Sequence, residues 1–139
     1  ANLRAPIALS QAFAKALPGD EKGLIINVID QRVWKLNPQF FTYTLSKAAL
    51  LTATKTLAQA LAPNIRVNGI GPGPTLASVH QSEDEFEAER QATLTREGSR
   101  PEEIVRAMRY LIAADSVTGQ MIAADGGQHL MWQTPDTQV

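Results

Sequence analysis

The chain has 139 residues, of which 44% are hydrophobic and 19% are charged, and its formal net charge is −1. This composition predicts a folded domain with a buried core, and the lack of a basic block argues against nucleic acid as a partner. The chain has no cysteine, which excludes thiol chemistry and favours a reducing, cytoplasmic location, and no apolar run approaches the about 18 residues that span a membrane.

The first half of the chain predicts two helices and two strands. Apolar side chains recur at a loosely helical spacing over residues 4–17, and a Pro-Gly pair closes that segment. Residues 23–29 form a short apolar run rich in β-branched side chains, which is typical of a strand buried on both faces. Residues 40–62 predict a long helix with a face of small residues, and residues 65–70 predict the second strand.

The second half predicts a rigid loop, two further helices and a third strand. The loop is the Gly-Pro-Gly-Pro sequence at residues 71–74. Two serine–glutamate pairs are spaced as capping boxes, namely Ser82 with Glu85 and Ser99 with Glu102. They predict helices at about residues 83–94 and 101–113. The apolar segment 119–124 predicts the last strand, which an Asp-Gly-Gly turn closes.

This alternation of helices with buried strands is typical of an α/β fold, in which helices cover both faces of a parallel sheet. Three strands are few for such a sheet, and the first strand would leave an edge with unpaired backbone groups that can pair with another segment. We therefore expect residues 1–139 to be part of a single larger domain, either as a fragment or as a chain completed by a partner.

Tyr43 and Lys47 are the first candidate for chemistry, because they lie four residues apart on the predicted helix and share one face. An ammonium group beside a phenol stabilises the phenolate and lowers the tyrosine pKa, which brings proton exchange closer to neutral pH. A tyrosine and a lysine at this spacing are common at a helix start, so coincidence is the better explanation of the isolated pair. The catalytic interpretation of this pair depends on the segments that surround it.

The motifs around this pair resemble, in order, those of the short-chain dehydrogenase/reductase family over nearly all of the chain. They are Tyr43-Thr44-Leu45-Ser46-Lys47-Ala48-Ala49 on the long helix, Val67-Asn68 with Pro72-Gly73, the closing Asp125-Gly126-Gly127, and Asn2-Leu3 near the start. The resemblance implies a Rossmann-type doubly wound parallel sheet, of which this chain is the C-terminal, catalytic portion. It also implies an oxidoreductase that uses NADP or NAD.

The resemblance implies a role for individual residues as well. Tyr43 would exchange a proton with the substrate, and Lys47 would lower the pKa of Tyr43 and hold the ribose hydroxyls next to the nicotinamide. Asn2 would anchor a water chain that connects the lysine to solvent. The nicotinamide end of the cofactor would be contacted by Pro72, Gly73 and Thr75, the last through its hydroxyl.

One departure from the family pattern concerns the substrate. The family usually has a serine thirteen residues before the tyrosine, and this chain has Asp30 there. A carboxyl group donates a hydrogen bond when protonated and accepts one from a ring N–H or an amino group when ionised. Aspartate at this position resembles the pteridine reductases, which reduce ring C=N bonds of pterins and folates. Trp34 is a second substrate candidate, because an indole can stack on a flat heterocycle, although packing explains it too.

Two alternatives stay open. The chain can belong to an ordinary carbonyl reductase or alcohol dehydrogenase on the same scaffold, with Asp30 only capping a loop. It can also belong to a non-catalytic protein that keeps the fold for binding or assembly.

The cofactor and the assembly state are expected from what the chain contains and lacks. It has no Gly-x-Gly-x-x-Gly segment, so we expect the dinucleotide phosphate-binding part upstream, with the residues that choose between NADP and NAD. The pteridine reductase resemblance favours NADP. A homodimer or homotetramer is expected through the helices at 4–17 and 40–62. No metal site is expected, because His80 and His129 stand far apart without neighbouring ligands.

Overall fold

The computed structural model describes residues 2–137 as three strands, four α-helices and three short 3₁₀ turns. In chain order the helices and strands are α1 (Arg4–Ala16), β1 (Gly23–Val28), α2 (Phe41–Leu61), β2 (Ile65–Pro72), α3 (Glu83–Gln91), α4 (Pro101–Ala113) and β3 (Met121–Ala124). The 3₁₀ turns are Gln31–Trp34, Gln128–Leu130 and Pro135–Thr137. Within this described range, no helix is both long enough and apolar enough to cross a lipid bilayer.

The three strands form one parallel sheet in the order β1-β2-β3. β1 pairs with β2 from Gly23↔Ile65 to Val28↔Ile70, and β2 pairs with β3 from Gly69↔Met121 to Pro72↔Ala124. The central position of β2 explains why Val67 and Ile70 are fully buried. The predicted parallel α/β architecture is confirmed.

Helices cover both faces of the sheet, as the sequence predicts. Val67 of β2 lies in one apolar cluster with Ala58 of α2 and Ala14 of α1. The preceding side chain, Arg66, donates instead to the carbonyl oxygen of Leu111, in the last turn of α4, at 2.9 Å. Since successive side chains of a strand point to opposite faces, α1 and α2 lie on one face of the sheet and α4 lies on the other.

The predicted ends of α1, α2 and β1 agree with the structure to within one residue, whereas β2 and β3 differ more. β2 continues two residues beyond the predicted strand, to Pro72, because it pairs with β3 as far as Ala124. β3 begins at Met121 instead of residue 119. Gly119 has a φ of 73°, which is left-handed and takes the chain out of extended conformation just before the strand.

The α3 helix is shorter than predicted and ends at Gln91 instead of residue 94. Thr93 turns the chain there, because its hydroxyl donates to the Arg90 carbonyl at 2.8 Å and accepts from the backbone N–H of Gly98 at 3.1 Å. Hydroxyl side chains that bond nearby backbone in this way compete with continuation of a helix.

One predicted capping box is confirmed and the other is wrong. Ser82 and Glu85 bond each other's backbone amides at the start of α3. The predicted box of Ser99 with Glu102 does not form, since α4 is capped by Arg100 without a side-chain bond and begins at Pro101. The Ser99 hydroxyl is engaged with the loop that follows β2, as described below.

Candidate active site

The candidate site lies at the edge of the sheet where all three parallel strands end. Asp30 follows β1, Gly73 follows β2 directly, and Asp125 follows β3 directly. Parallel strands present their carboxyl ends on one edge, which is where α/β sheets bind their ligands. The 3₁₀ turns Gln31–Trp34 and Gln128–Leu130 continue from β1 and β3 and contact each other at this edge.

Asp30 and Tyr43 are brought together as the sequence spacing suggests. The Tyr43 hydroxyl donates to Asp30 Oδ2 at 2.9 Å. The other carboxylate oxygen, Oδ1, accepts from the backbone N–H of Arg32 at 2.8 Å and so caps the 3₁₀ turn. One oxygen of Asp30 thus caps the 3₁₀ turn, and the other accepts from the Tyr43 hydroxyl.

The pKa of Tyr43 is raised, and the expected lowering by Lys47 was wrong. Burial is the largest cause, followed by the negative charge of Asp30 and the hydrogen bond to it, while the positive charge of Arg32 opposes them. The Lys47 ammonium lies 5.7 Å from the centroid of the Tyr43 ring and donates to the Val28 carbonyl at 2.9 Å. One of its N–H groups is therefore engaged with β1, and Lys47 is not among the groups that lower the pKa of Tyr43.

Lys47 has N–H donors to spare beside the end of β1. Partial burial lowers the pKa of Lys47, and the charge of Asp30 opposes that effect. An ammonium has three N–H donors, and the Val28 carbonyl takes one of them. Lys47 lines a cleft of about 520 Å³ together with Asn27 and with Asn2 near the start of α1. The cleft thus brings the predicted pair of Asn2 and Lys47 to one open space.

Pro72 ends β2, and Gly73 and Thr75 follow it in one compact turn. The Thr75 hydroxyl lies 3.0 Å from the Gly73 carbonyl, to which it donates, and 2.9 Å from the Ser99 hydroxyl. A Cβ at Gly73 would lie 2.8 Å from the Cβ of Asp125. This close approach of two strand ends requires glycine at position 73.

Asp125 and His129 form a pair that the sequence interpretation missed. The side chain of Asp125 is 1% exposed. Its Oδ1 accepts from the Gly127 N–H at 2.9 Å, and its Oδ2 accepts from the His129 N–H at 2.9 Å and lies 2.7 Å from His129 Nδ1. The sequence interpretation set His129 aside as a metal ligand and gave it no other role. An aspartate that ends a strand, with a histidine four residues later, is the signal that could have found the pair.

Trp34 packs against the ring of His129, with the two centroids 5.3 Å apart and the planes tilted by 55°. Because 45% of Trp34 is exposed, part of the residue stays accessible. The packing interpretation of Trp34 is thus observed, and its contact with the substrate stays a prediction.

Arg32 is a second residue that was missed. Its guanidinium lies 5.1 Å from the centroid of the Phe40 ring, and its charge lowers the pKa of Tyr43. A cation two residues after Asp30 was the available signal. Within residues 2–137, no group of three or more His, Asp or Glu side chains is arranged to hold a metal ion.

Comparison with known proteins identifies the family of this chain. A short-chain dehydrogenase/reductase family model, described as Enoyl-(Acyl carrier protein) reductase, matches residues 1–129. The chain therefore belongs to the short-chain dehydrogenase/reductase family.

Similar proteins are found among both curated sequences and solved structures. Dihydromonapterin reductase of Escherichia coli strain K12 is 29% identical over 131 residues, which cover 93% of this chain and 55% of the relative. The crystal structure of FolM alternative dihydrofolate reductase 1 from Brucella suis in complex with NADP is 56% identical, with a TM-score of 0.94 over 97% of this chain and 55% of that one. The Brucella canis protein complexed with NADP is 55% identical, with a TM-score of 0.94. The chain spans about half the length of these relatives.

Proposed function

We propose that this chain is the C-terminal catalytic portion of an NADP(H)-dependent pteridine reductase that acts on a dihydropterin or folate-type substrate. The observation that carries the proposal is the hydrogen bond from the Tyr43 hydroxyl to the Asp30 carboxylate at 2.9 Å. It couples a proton donor to a carboxyl group that is suited to a nitrogen heterocycle. The two solved relatives that are more than half identical to this chain are named as alternative dihydrofolate reductases and are complexed with NADP. Their names support the same substrate class and cofactor.

The groups at this edge fit the nicotinamide half of a dinucleotide. Two remaining N–H donors of Lys47 can bond the two ribose hydroxyls, and the Tyr43 hydroxyl stands on the same helix face. Pro72 and Gly73 offer a flat backbone surface, and the Thr75 hydroxyl offers a polar contact for the carboxamide. NADP rather than NAD is part of this proposal, because the solved relative from Brucella suis is complexed with NADP.

In the proposed reaction NADPH supplies a hydride to the carbon of a ring C=N bond, while a proton is added to the nitrogen. The raised pKa of Tyr43 keeps its phenol protonated at neutral pH, so it holds the proton that the reaction consumes. The Asp30 carboxylate accepts the hydrogen bond of the Tyr43 phenol and, in this proposal, also orients the ring N–H or amino group of the substrate. Trp34 provides an apolar surface against which a flat heterocycle can lie.

Asn2 and Lys47 are proposed to return the proton to the site. Both line the cleft of about 520 Å³ that opens beside β1. Water held there by the Asn2 amide can reach the Lys47 ammonium, which is the arrangement needed for proton exchange with solvent.

The test is a substrate panel with the complete polypeptide. Dihydropterins and dihydrofolate are compared with simple ketones, with NADPH and NADH as alternative reductants, and loss of the reduced cofactor is followed by its absorbance. We expect the highest kcat/KM for a dihydropterin with NADPH. Turnover of ketones alone would assign the chain to the carbonyl reductases, and binding of NADPH without turnover of either class would assign it to the non-catalytic members.

We also propose a cytoplasmic homodimer or homotetramer that assembles through α1 and α2. These helices lie side by side on one face of the sheet and expose apolar side chains, among them Leu9 of α1 and Phe41 and Leu45 of α2. Exposed apolar side chains that cluster on neighbouring helices are typical of a subunit interface. Sedimentation equilibrium of the complete polypeptide should show a dimer or tetramer, and Leu45→Glu should shift it towards monomer, whereas a monomeric wild type would refute this assembly.

A further inference from the structure

The imidazole of His129 joins the turn that follows β3 to the turn that follows β1. Its Nδ1 lies 2.7 Å from Asp125 Oδ2, and its ring centroid lies 5.3 Å from that of the Trp34 ring. Asp125 follows β3 directly, and Trp34 is the last residue of the 3₁₀ turn that begins after Asp30. One side chain thus contacts a carboxylate at one strand end and an indole at another.

The Asp125 carboxylate fixes the orientation of the His129 ring. Oδ2 of Asp125 accepts from the His129 backbone N–H at 2.9 Å and also lies against Nδ1, so one oxygen binds both the main chain and the ring of the same residue. An ionised carboxylate only accepts hydrogen bonds, so Nδ1 carries the hydrogen of this contact. The side chain of Asp125 is 1% exposed and that of His129 is 18% exposed. The imidazole therefore has little room to turn.

Trp34 is less constrained by its own turn than His129 is by Asp125. The Asp30 carboxylate caps that turn through the backbone N–H of Arg32, and this bond fixes the main chain but not the indole. An indole can still rotate about its two side-chain torsions. The centroid separation of 5.3 Å and the tilt of 55° lie within the range of attractive aromatic pairs. The orientation of the indole therefore depends on the ring of His129.

We propose that His129 is a positioning residue that holds the Trp34 indole in the orientation in which it receives the flat ring of the substrate. The inference rests on the proposed function, in which a pterin-type heterocycle lies against Trp34. It adds that the pair of Asp125 and His129, on the β3 side, sets the affinity for that heterocycle through Trp34 and not through the reacting atoms. Without the imidazole the indole adopts several orientations, and ordering it on binding weakens the complex.

His129→Asn separates the imidazole ring from the bond to Asp125. The asparagine amide offers an N–H donor on a short side chain, which can replace Nδ1 as the partner of Asp125 Oδ2. The backbone N–H groups of Gly127 and of residue 129 continue to bond the Asp125 carboxylate. The variant is therefore expected to fold, and what it loses is the ring that packs on Trp34.

The experiment is a double-mutant cycle of His129→Asn and Trp34→Leu on the complete polypeptide. KM and kcat for a dihydropterin and the dissociation constant of NADPH are measured for the wild type, the two single variants and the double variant. His80→Asn is the matched control, because His80 is the second histidine of the chain and is exposed. Fluorine NMR of protein labelled with fluorotryptophan reports on the indole directly, and the resonance of Trp34 is the one that Trp34→Leu lacks.

We expect His129→Asn to raise KM for the dihydropterin by about three- to tenfold, which corresponds to the usual strength of an aromatic contact. The kcat and the dissociation constant of NADPH should stay unchanged. In the Trp34→Leu background, His129→Asn should raise KM no further, because the side chain through which it acts is already absent. The fluorine resonance of Trp34 should shift or broaden in His129→Asn and stay in place in His80→Asn.

Three results would overturn the inference and leave the proposed function intact. One is a rise in KM by the same factor with and without Trp34, since His129 would then not act through the indole. Another is an unchanged Trp34 resonance in His129→Asn. The third is an equal weakening of NADPH and dihydropterin, which a merely structural role would produce. A wild-type protein that binds NADPH and turns over no dihydropterin would instead overturn the proposed function, and the inference with it.

Discussion

The two sides of the candidate site differ in the groups that build them. The β1 side contains the ionisable side chains of Asp30, Tyr43 and Lys47, which are joined to one another or to backbone by single hydrogen bonds. The β2–β3 side is built from backbone groups and hydroxyls around Gly73 and Ser99, together with the buried carboxylate of Asp125. The first arrangement can hold and move a proton at the phenol of Tyr43. The second also contains the paired side chains of Asp125 and His129, but its loop around Gly73 and Ser99 serves to fix positions.

This difference assigns two kinds of effect to the two sides. Changes on the β1 side should act on the chemical step and on pKa values, because the groups there exchange protons. Changes on the β2–β3 side should act on stability and on binding, because its groups are packed and fully hydrogen-bonded. The four predictions below test this division, from the largest expected effect to the smallest.

The largest effect is expected for Tyr43→Phe, which removes the proposed proton donor and leaves the ring. We expect kcat with a dihydropterin to fall by about 10²–10⁴-fold, which is the usual contribution of a general acid. The dissociation constant of NADPH should change little. Tyr110→Phe on α4 is the control, since Tyr110 is exposed and remote from the strand ends. Full activity of the Tyr43→Phe variant would show that Tyr43 is not the proton donor.

Gly73→Ala should act on stability. A Cβ at this position would lie 2.8 Å from the Cβ of Asp125 and 2.9 Å from its Cα, so the two strand ends would be forced apart. Overpacking of this kind costs about 1–3 kcal/mol of the free energy of unfolding, to be measured by chemical denaturation. Gly19→Ala is the matched control, because nothing lies within 4 Å of the added Cβ. Equal stability of both variants would contradict the close approach.

Asp30→Asn should lower the pKa of Tyr43. The carboxylate raises that pKa through its charge and its hydrogen bond, and the substitution removes the charge, so the phenol should ionise at a lower pH. Each unit of this change corresponds to about 1.4 kcal/mol. It can be followed as the difference in tyrosinate absorbance between variant and wild type during an alkaline titration. Asp115→Asn, at an exposed position, should leave the titration unchanged, and so should Asp30→Asn if burial alone raised the pKa.

The smallest effect is expected for Trp34→Leu, which removes the indole that packs on His129 and faces the site. Loss of an aromatic contact is worth about 0.5–1.5 kcal/mol, so KM for the pterin should rise by up to about tenfold while kcat is retained. Trp132→Leu serves as control, because Trp132 is a second exposed tryptophan. A fall in kcat without a rise in KM would place Trp34 with the chemical groups instead.

Sequence reasoning predicted the β1 side better than the β2–β3 side. Tyr43 and Lys47 are four residues apart on one helix, so periodicity places these two near one another, and the family resemblance implied that Asp30 lies beside them. The Ser99 hydroxyl contacts Thr75 and Gly73, which are 24 and 26 residues away, and these contacts depend on a loop that no periodic pattern describes. For that reason Ser99 was interpreted as a helix cap, from local spacing that the folded loop overrides.

The pKa of Tyr43 shows a similar limit. The spacing of Tyr43 and Lys47 put an ammonium near the phenol and predicted a lower pKa. The direction of the pKa shift depends instead on burial and on the distance of each charged group from the phenol oxygen. Burial and the Asp30 carboxylate raise the pKa, and the Lys47 ammonium is held by the Val28 carbonyl. Distances of this kind are fixed only when the helix has docked on the strand.

The sequence by itself determined the helices, the strands and the resemblance to a reductase family, because apolar periodicity and short motifs act over a few residues. The tertiary structure decided which face each helix covers. The connection from β1 to β2 contains α2, and the connection from β2 to β3 contains α4; both move the chain in the same direction across the sheet. Because α2 and α4 lie on opposite faces of the sheet, the two crossovers have opposite hands. The general preference for right-handed crossovers would place both helices on one face. Packing over the whole sheet decides against it here, and it is also what brings Ser99 to Gly73 and His129 to Trp34.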